Sequence, residues 1–466
     1  MTPMLQVVPP DVKLSAEVRL QALARAIPAA AIDAAIAGCG VREQRCRKLP
    51  AHVTLLVSIV GALFPRRSQT GVLSKLLHGL RLLAPEGARI PATKGAICQA
   101  RYRLGARPLV ALFKLVCRPL ATPTTVPDAF YQRWRLVGVD GTVEDVPDTA
   151  ANAATFGRPT TRGGAAAGAF PQLYGVYLVE CGTHAIIDAG FWPYRTGERL
   201  GGHRLLRSVG RETLVLWDCG YHSYAMVVAA RKRGAHVVGR LPGHVKPVFV
   251  RTLADGSNLV WLYHGNDTAR TGTARVLVRL LSYTITDPDR GDPKVVHRLI
   301  TTLLNPVRHP ALDLICLYHE RWEVELTIDE TDTHLRQLKQ PLRSQLPVGV
   351  IQELYGVLLA HYAIRAVMLD AAVSVGTSPR RLSFVSAVEL ISDALPDFQI
   401  LPPEQHAVRY ARLLQDIARQ RLPPRANRIN VRAVKRKPTR FLTTRPAHRG
   451  RPPLAAPFRA SIALLI

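Results

Sequence analysis

The 466-residue chain has no CxxC pair. Its seven cysteines, Cys39, Cys46, Cys98, Cys117, Cys181, Cys219 and Cys316, are odd in number and scattered. That pattern argues against a zinc ribbon or a disulfide framework, so the chain reads as intracellular. The opening MTPMLQVVPPDVK lacks an apolar signal core. Long hydrophobic runs are missing too. Ala51–Phe64, the most apolar stretch of the first hundred residues, is too short to span a bilayer and is followed by Arg66 and Arg67. It reads as a buried helix. Acids are scarce: 34 Asp and Glu stand against 62 Lys and Arg, a formal net charge of +28. Such an excess predicts attraction to a polyanion. Nucleic acid is favoured over an anionic membrane, because no long amphipathic basic helix is found. Free use of Arg in a GC-rich genome explains some of the charge but not its clustering.

What is present divides into regions. From residue 12 to about 125, apolar positions recur at helical spacing through Val18–Ile36, Ala51–Phe64 and Gly71–Leu83. The stretch IPATKGAICQARYRLG follows, with Thr93 as an N-cap and Gly105 as a stop. Its Lys94, Gln99, Arg101 and Arg103 suit the recognition helix of a helix-turn-helix DNA-binding domain, and equally an ordinary surface helix. From 130 to 375 the pattern changes. Strands are expected at Arg135–Thr142, Gln172–Glu180 and Ala185–Trp192, then a helix from Glu198 to Val209. A strand over Thr213–Gly220, a helix over Ser223–Arg233 and a strand over Ala235–Leu241 follow. This order predicts an α/β, RNase H-like core. Several strands in about 246–304 form a β-rich insertion before one long helix from Ala311 to about Arg336 and an apolar helix over Val350–Ala371. A helical region (376–418) and a basic tail (419–466) complete the chain. Residues 419–451 hold twelve Lys or Arg, among them Lys435, Arg436 and Lys437, and no acid. An extended arm that follows a phosphate backbone fits them better than a solvated tail.

Two acids stand out. Asp140 and Asp218 each end an apolar strand and are closely followed by glycine, which on its own is also an ordinary turn signal. The long helix adds Tyr318, Arg321 and Glu325 at offsets 0, 3 and 7, within about 60° of one another at about 100° per residue. An ion pair between Arg321 and Glu325 is the plain alternative. Phosphodiester cleavage without a covalent intermediate needs carboxylates that hold two Mg²⁺ ions about 3.5–4 Å apart.

The Tyr-x-x-Arg-x-x-x-Glu pattern of YHERWEVE resembles the signature of DDE transposases of the insertion-element-four family. VGVDGTVEDVPDTAANAATFGRP, GAFPQLYGVYLVECGTHAIIDAGFWPYRTGER, LWDCGYHSY, RKLPAHVTLLVSIVGALFP and PATKGAICQARYRLG resemble successive segments of the same family, over roughly residues 30 to 390. The resemblance implies a cut-and-paste transposase acting at the inverted repeats of transposon ends and on target double-stranded DNA. Asp140, Asp218 and Glu325 would bind Mg²⁺, or Mn²⁺, while Tyr318 and Arg321 would position DNA phosphates. A homodimer in the DNA complex, a cytoplasmic, nucleoid-associated location in a bacterium and no membrane partner follow from it.

Two positions depart from that pattern. Asp332 stands where the family usually carries Lys, and Cys219 where it commonly carries Arg. Arg336, on the same expected helix face, is a substitute phosphate contact. The departures leave an alternative open: a catalytically impaired relic that binds DNA, or an inhibitor of transposition. A structure-specific nuclease with an RNase H-like core is a remoter one.

Overall fold

The computed structural model describes residues 23–42, 49–76, 92–159, 168–265, 269–288, 292–337, 342–423 and 457–465. Two compact units result: Met1–Ser208 with Arg321–Leu422, and Val209–Glu320 with Pro423–Ile466. Compactness therefore divides the chain differently from the expected boundaries 12–125, 130–375, 376–418 and 419–466. In the first unit the N-terminal helices share a core with the strands that carry Asp140.

That unit opens with helices α1 (Ala29–Gly38), α2 (Ala51–Leu63), α3 (Gln69–Leu76), α4 (Lys94–Leu104) and α5 (Arg107–Val116). Of the helix expected over Val18–Ile36, the described residues place the helical run at Ala29–Gly38, with Pro28 at ψ 144° as its N-cap. Residues before 23 and most of the end expected at Leu83 lie outside the described residues. α2 is buried along most of its length, since AHVTLLVSIVGAL is apolar on nearly every face. α4 forms as its sequence predicts: the Thr93 side chain accepts from the Ala96 N–H at 3.1 Å, and Gly105 at φ +70° ends the helix.

The chain then forms β1 (Phe130–Tyr131), β2 (Trp134–Asp145), helix α6 (Ala150–Phe156), β3 (Gln172–Glu180), β4 (Ala185–Pro193) and α7 (Glu198–Leu205). β2, β3 and β4 make an antiparallel meander in which Asp140 faces Tyr177 across the first pair. β2 ends at Asp145, three residues beyond its expected end at Thr142. Gly141 does not turn the chain but pairs with Val176, so Asp140 sits inside the strand.

The second unit carries β5 (Thr213–Trp217), α8 (Tyr224–Lys232), β6 (His236–Arg240), β7 (Val248–Thr252), β8 (Asn258–Tyr263), β9 (Arg275–Ile285), β10 (His297–Thr301) and α9 (Ala311–Tyr318). Its strand order is β5-β6-β10-β9-β8-β7. β5 and β6 are parallel around α8, and the other neighbours are antiparallel. β5, TLVLW, is apolar at nearly every position and almost wholly buried, as a strand covered on both faces should be. The insertion has its own polar pillar in Arg279, which reaches Asp255, Ser257 Oγ at 2.7 Å and the His309 carbonyl at 2.6 Å. β11 (Ile462–Leu464) pairs with the end of β9, so the last described residues are sheet and not free arm. Residues 424–456, with Lys435, Arg436 and Lys437, lie outside the described residues.

The single helix expected from Ala311 to Arg336 is broken into pieces. A 3-10 turn, His319–Arg321, follows α9. Helix α10 (Trp322–Asp329) comes next, and then a π-helical stretch, Glu330–Leu335. A 3-10 turn winds tighter than an α-helix and a π turn looser, so a face projected at α-helical spacing does not hold across either. The first unit is completed by α11 (Pro347–Ser374), α12 (Phe384–Ile400) and α13 (Pro403–Arg419). α11 is long and apolar enough to cross a membrane, but 83% of its most apolar window is buried inside the protein. It packs against α2, α5, α12 and α13 and forms the spine of the unit.

Candidate active site

β2 and α10 meet at a glycine. Gly138 lies two residues before Asp140, on the same side of the strand. A Cβ there would overlap the Val324 side chain, and Val324 precedes Glu325. The bare glycine lets helix and strand approach closely and brings their acids together. Arg321 bridges them: Nη1 lies 3.3 Å from Asp140 Oδ2, and Nη2 lies 2.6 Å from Glu325 Oε1. Asp140 also accepts from the Gly141 N–H at 2.9 Å. The Arg321, Asp140 and Glu325 side chains are 13%, 18% and 37% exposed, so this charged cluster is reachable from solvent. The i,i+4 pair expected between Arg321 and Glu325 is formed, and Asp140 joins it from a strand 181 residues away.

In the second unit Asp218 directly follows β5, where the apolar run predicts it, and is half-buried. Its Oδ1 accepts from the Gly220 N–H at 2.8 Å, an Asx turn that fixes the carboxylate at the strand's end. Tyr318 departs from the expected phosphate contact. It is buried, and its hydroxyl donates to the Trp217 carbonyl at 3.3 Å. There it braces the end of β5 next to Asp218.

Comparison with known proteins identifies the family of the chain. The model of the insertion element 4 transposase N-terminal region matches residues 17–114, and that of the transposase DDE domain matches residues 135–362. The chain belongs to the insertion-element-four family of DDE transposases. It is 29% identical over 422 residues to the transposase InsG of insertion sequence element IS4 from Escherichia coli K12, which spans 88% of this chain and 91% of that one. The cryo-EM structure of a piggyBac transposase synaptic complex with hairpin DNA aligns over 91% of this chain and 88% of its own, at 10% identity and a TM-score of 0.42. DNA transposition is the activity of the family, and DNA is its partner.

Several of the expected contacts in this transposase fall elsewhere. Arg336 is not available to a phosphate. It is buried, with Nη1 2.7 Å from Glu144 Oε1 and 3.6 Å from Asp332 Oδ1. Burial works against its charge, yet Glu144 and Asp332 raise the guanidinium's pKa. Asp332 is equally enclosed and accepts from Thr142 Oγ1 at 3.3 Å. It is thus a partner for Arg336 and not an anion facing DNA. The π turn carries both inward. On α4, Lys94, Gln99 and Arg103 are exposed, but Arg101 is buried. Arg101 bonds to Gln352 Oε1, Ser344 Oγ and the Gly349 carbonyl at 3.1–3.2 Å, which ties α4 to the start of α11. Cys219 is half-buried beside Asp218. Gly138 lies outside the set of residues expected at the site. A glycine inside an apolar strand is a signal of close backbone approach, and here the neighbour is the helix of Glu325.

Proposed function

We propose that the chain is a cut-and-paste transposase in which Asp140, Asp218 and Glu325 hold Mg²⁺, or Mn²⁺, at the site of DNA cleavage and strand transfer. The supporting observation is the convergence of Asp140 and Glu325 on one guanidinium. Two acids distant in sequence are held, half-exposed, around a common positive charge. Asp218 joins them on the strength of its place at the end of β5 within the family's catalytic domain. Among the described residues no three His, Cys, Asp or Glu side chains form a ready-made metal cluster. The donor set nevertheless fits a hard divalent ion, because carboxylate oxygens are its preferred ligands. Such an ion, when bound, supplies an activated hydroxyl and stabilises the leaving oxygen.

The chain's own residues have clear parts in this chemistry. Asp140 and Glu325 supply negative oxygens from a rigid strand and helix. Arg321 compensates them and, being partly exposed, can also take a DNA phosphate oxygen. The exposed Lys94, Gln99 and Arg103 of α4 face solvent, where they can meet a duplex. Cleavage at the transposon ends would expose a 3′-hydroxyl that attacks first the other strand and then the target DNA. A homodimer on paired ends, at the bacterial chromosome, belongs to the same proposal.

The test is nicking of a duplex carrying the element's end, with and without Mg²⁺, and with Glu325→Ala as control. Metal-dependent nicking lost in the variant is expected. Equal cutting by both proteins would show that the acids are wrongly assigned. The impaired-relic alternative loses one of its two grounds, since Asp332 is a buried partner of Arg336.

A further inference from the structure

The side of α10 opposite Glu325 is as highly charged as the site itself, and it is buried. Glu323 and Glu330 are seven residues apart, so they lie within about 20° of each other around the helix and about 140–160° from Glu325. Both reach the same imidazole. His184 Nε2 is 2.6 Å from Glu323 Oε2, and Nδ1 is 2.8 Å from Glu330 Oε1. His184 is 1% exposed. It sits at the corner between β3 and β4 with φ +61°, a left-handed conformation that glycine or asparagine adopts more cheaply. A strained, buried histidine at a tight corner calls for a reason, and the two carboxylates supply one.

The surrounding charges complete the anchor. Glu330 also takes Arg365 Nε at 2.9 Å and a close contact from Arg365 Nη2, and it lies 3.0 Å from His361 Nε2. Arg365 Nη2 approaches His184 Nδ1 at 2.5 Å. Arg380 Nη1 lies 3.8 Å from Glu323 Oε1, and its other nitrogen bonds Asp128 Oδ2 at 2.6 Å. Three elements, the β3–β4 corner, α11 and the turn before α12, thus grip one face of α10. Glu330 is also where the α-helix gives way to the π turn, so the grip holds the helix at its irregular end.

We propose that His184 is a positioning residue for the reaction: by clamping Glu323 and Glu330 it sets the rotation of α10, and so the direction in which Glu325 and Arg321 face Asp140. This rests on the assignment of Glu325 to the cleavage site. A packing role alone would be met by any side chain of similar volume. The clamp requires two polar atoms in fixed directions.

The experiment uses the full-length chain with end-containing duplex. His184→Leu removes both contacts, while Glu323→Gln keeps the shape and loosens one, and serves if the first variant does not fold. Cleavage is measured at saturating DNA against Mg²⁺ concentration. DNA affinity is measured by anisotropy, and hydrogen exchange is followed across Trp322–Asp329. For each folded variant we expect cleavage lower by roughly 10–100-fold, with the Mg²⁺ requirement moved upward, as for groups that orient metal ligands. DNA affinity should stay within about twofold, and exchange in α10 should quicken. Cleavage and Mg²⁺ dependence like the wild type, with exchange unchanged in α10, would overturn the proposal. If Glu325→Ala cuts as well as wild type in the same assay, the site assignment fails instead, and the two failures are distinguishable.

Discussion

The two ends of the segment from Arg321 to Arg336 use the same chemistry for different ends. At the first, Arg321 holds Asp140 and Glu325 in a cluster that solvent reaches. At the second, Arg336 holds Glu144 and Asp332 almost wholly out of water. Each guanidinium serves two carboxylates, and each bridges this segment to β2. Burial separates their roles. An enclosed pair is costly to break and has no room for a ligand, whereas a half-open one can exchange its partner for a metal or a phosphate.

Substitutions can break this comparison. Glu325→Ala should have the largest effect, a loss of at least about 10³-fold in end cleavage with an unchanged melting temperature, because Arg321 keeps Asp140 as a partner. A stability loss in proportion to the activity loss would make the first cluster structural like the second. Arg336→Met should do the reverse. Two buried acids lose their shared cation, about 3–5 kcal/mol is lost, and denaturant unfolding reads it directly. Asp332→Lys belongs in the same range, since it sets a second cation beside Arg336. An increase in excision by this variant would instead revive the view that the copy is decayed. Arg321→Gln should reduce cleavage by about 10²-fold, as for loss of one preorganised charge, with a stability cost below that of Arg336→Met because solvent reaches Glu325. Smallest of all, Arg103→Ala should weaken DNA binding uniformly across sequences and lower the salt slope by about 1. A sequence-selective loss would promote α4 from phosphate contact to base reading.

Much of the architecture was legible in the chain. Apolar runs such as TLVLW and the alternation of RVLVRLLSYTI announced β5 and β9, and Thr93 and Gly105 marked the ends of α4. The acids Asp140 and Glu325 were legible as well, and so was the pairing of Arg321 with Glu325. What escaped was anything that depends on burial or winding. Arg101 and Arg336 look like surface cations in the sequence, because no local pattern reveals a buried acid or carbonyl contributed from hundreds of residues away. Sequence spacing describes a regular helix through Tyr318, and the 3-10 and π turns remove that regularity. The charged surroundings of His184 have no local sequence signal, since Glu323, Glu330 and Arg365 come from distant segments. Gly138 does carry a signal, as a glycine inside an apolar strand.

The discontinuity of the first unit bears on synthesis. Asp140 is translated early, but its partner Arg321 emerges only after Val209–Glu320, the body of the second unit, has left the ribosome. A prematurely terminated chain therefore carries the strand without its counterion or its glutamate. Closing so long a loop is slow, and non-local pairs form late. The proposed cutting centre is thus among the last parts of the protein to come into being, and a chain released midway lacks the glutamate that completes it.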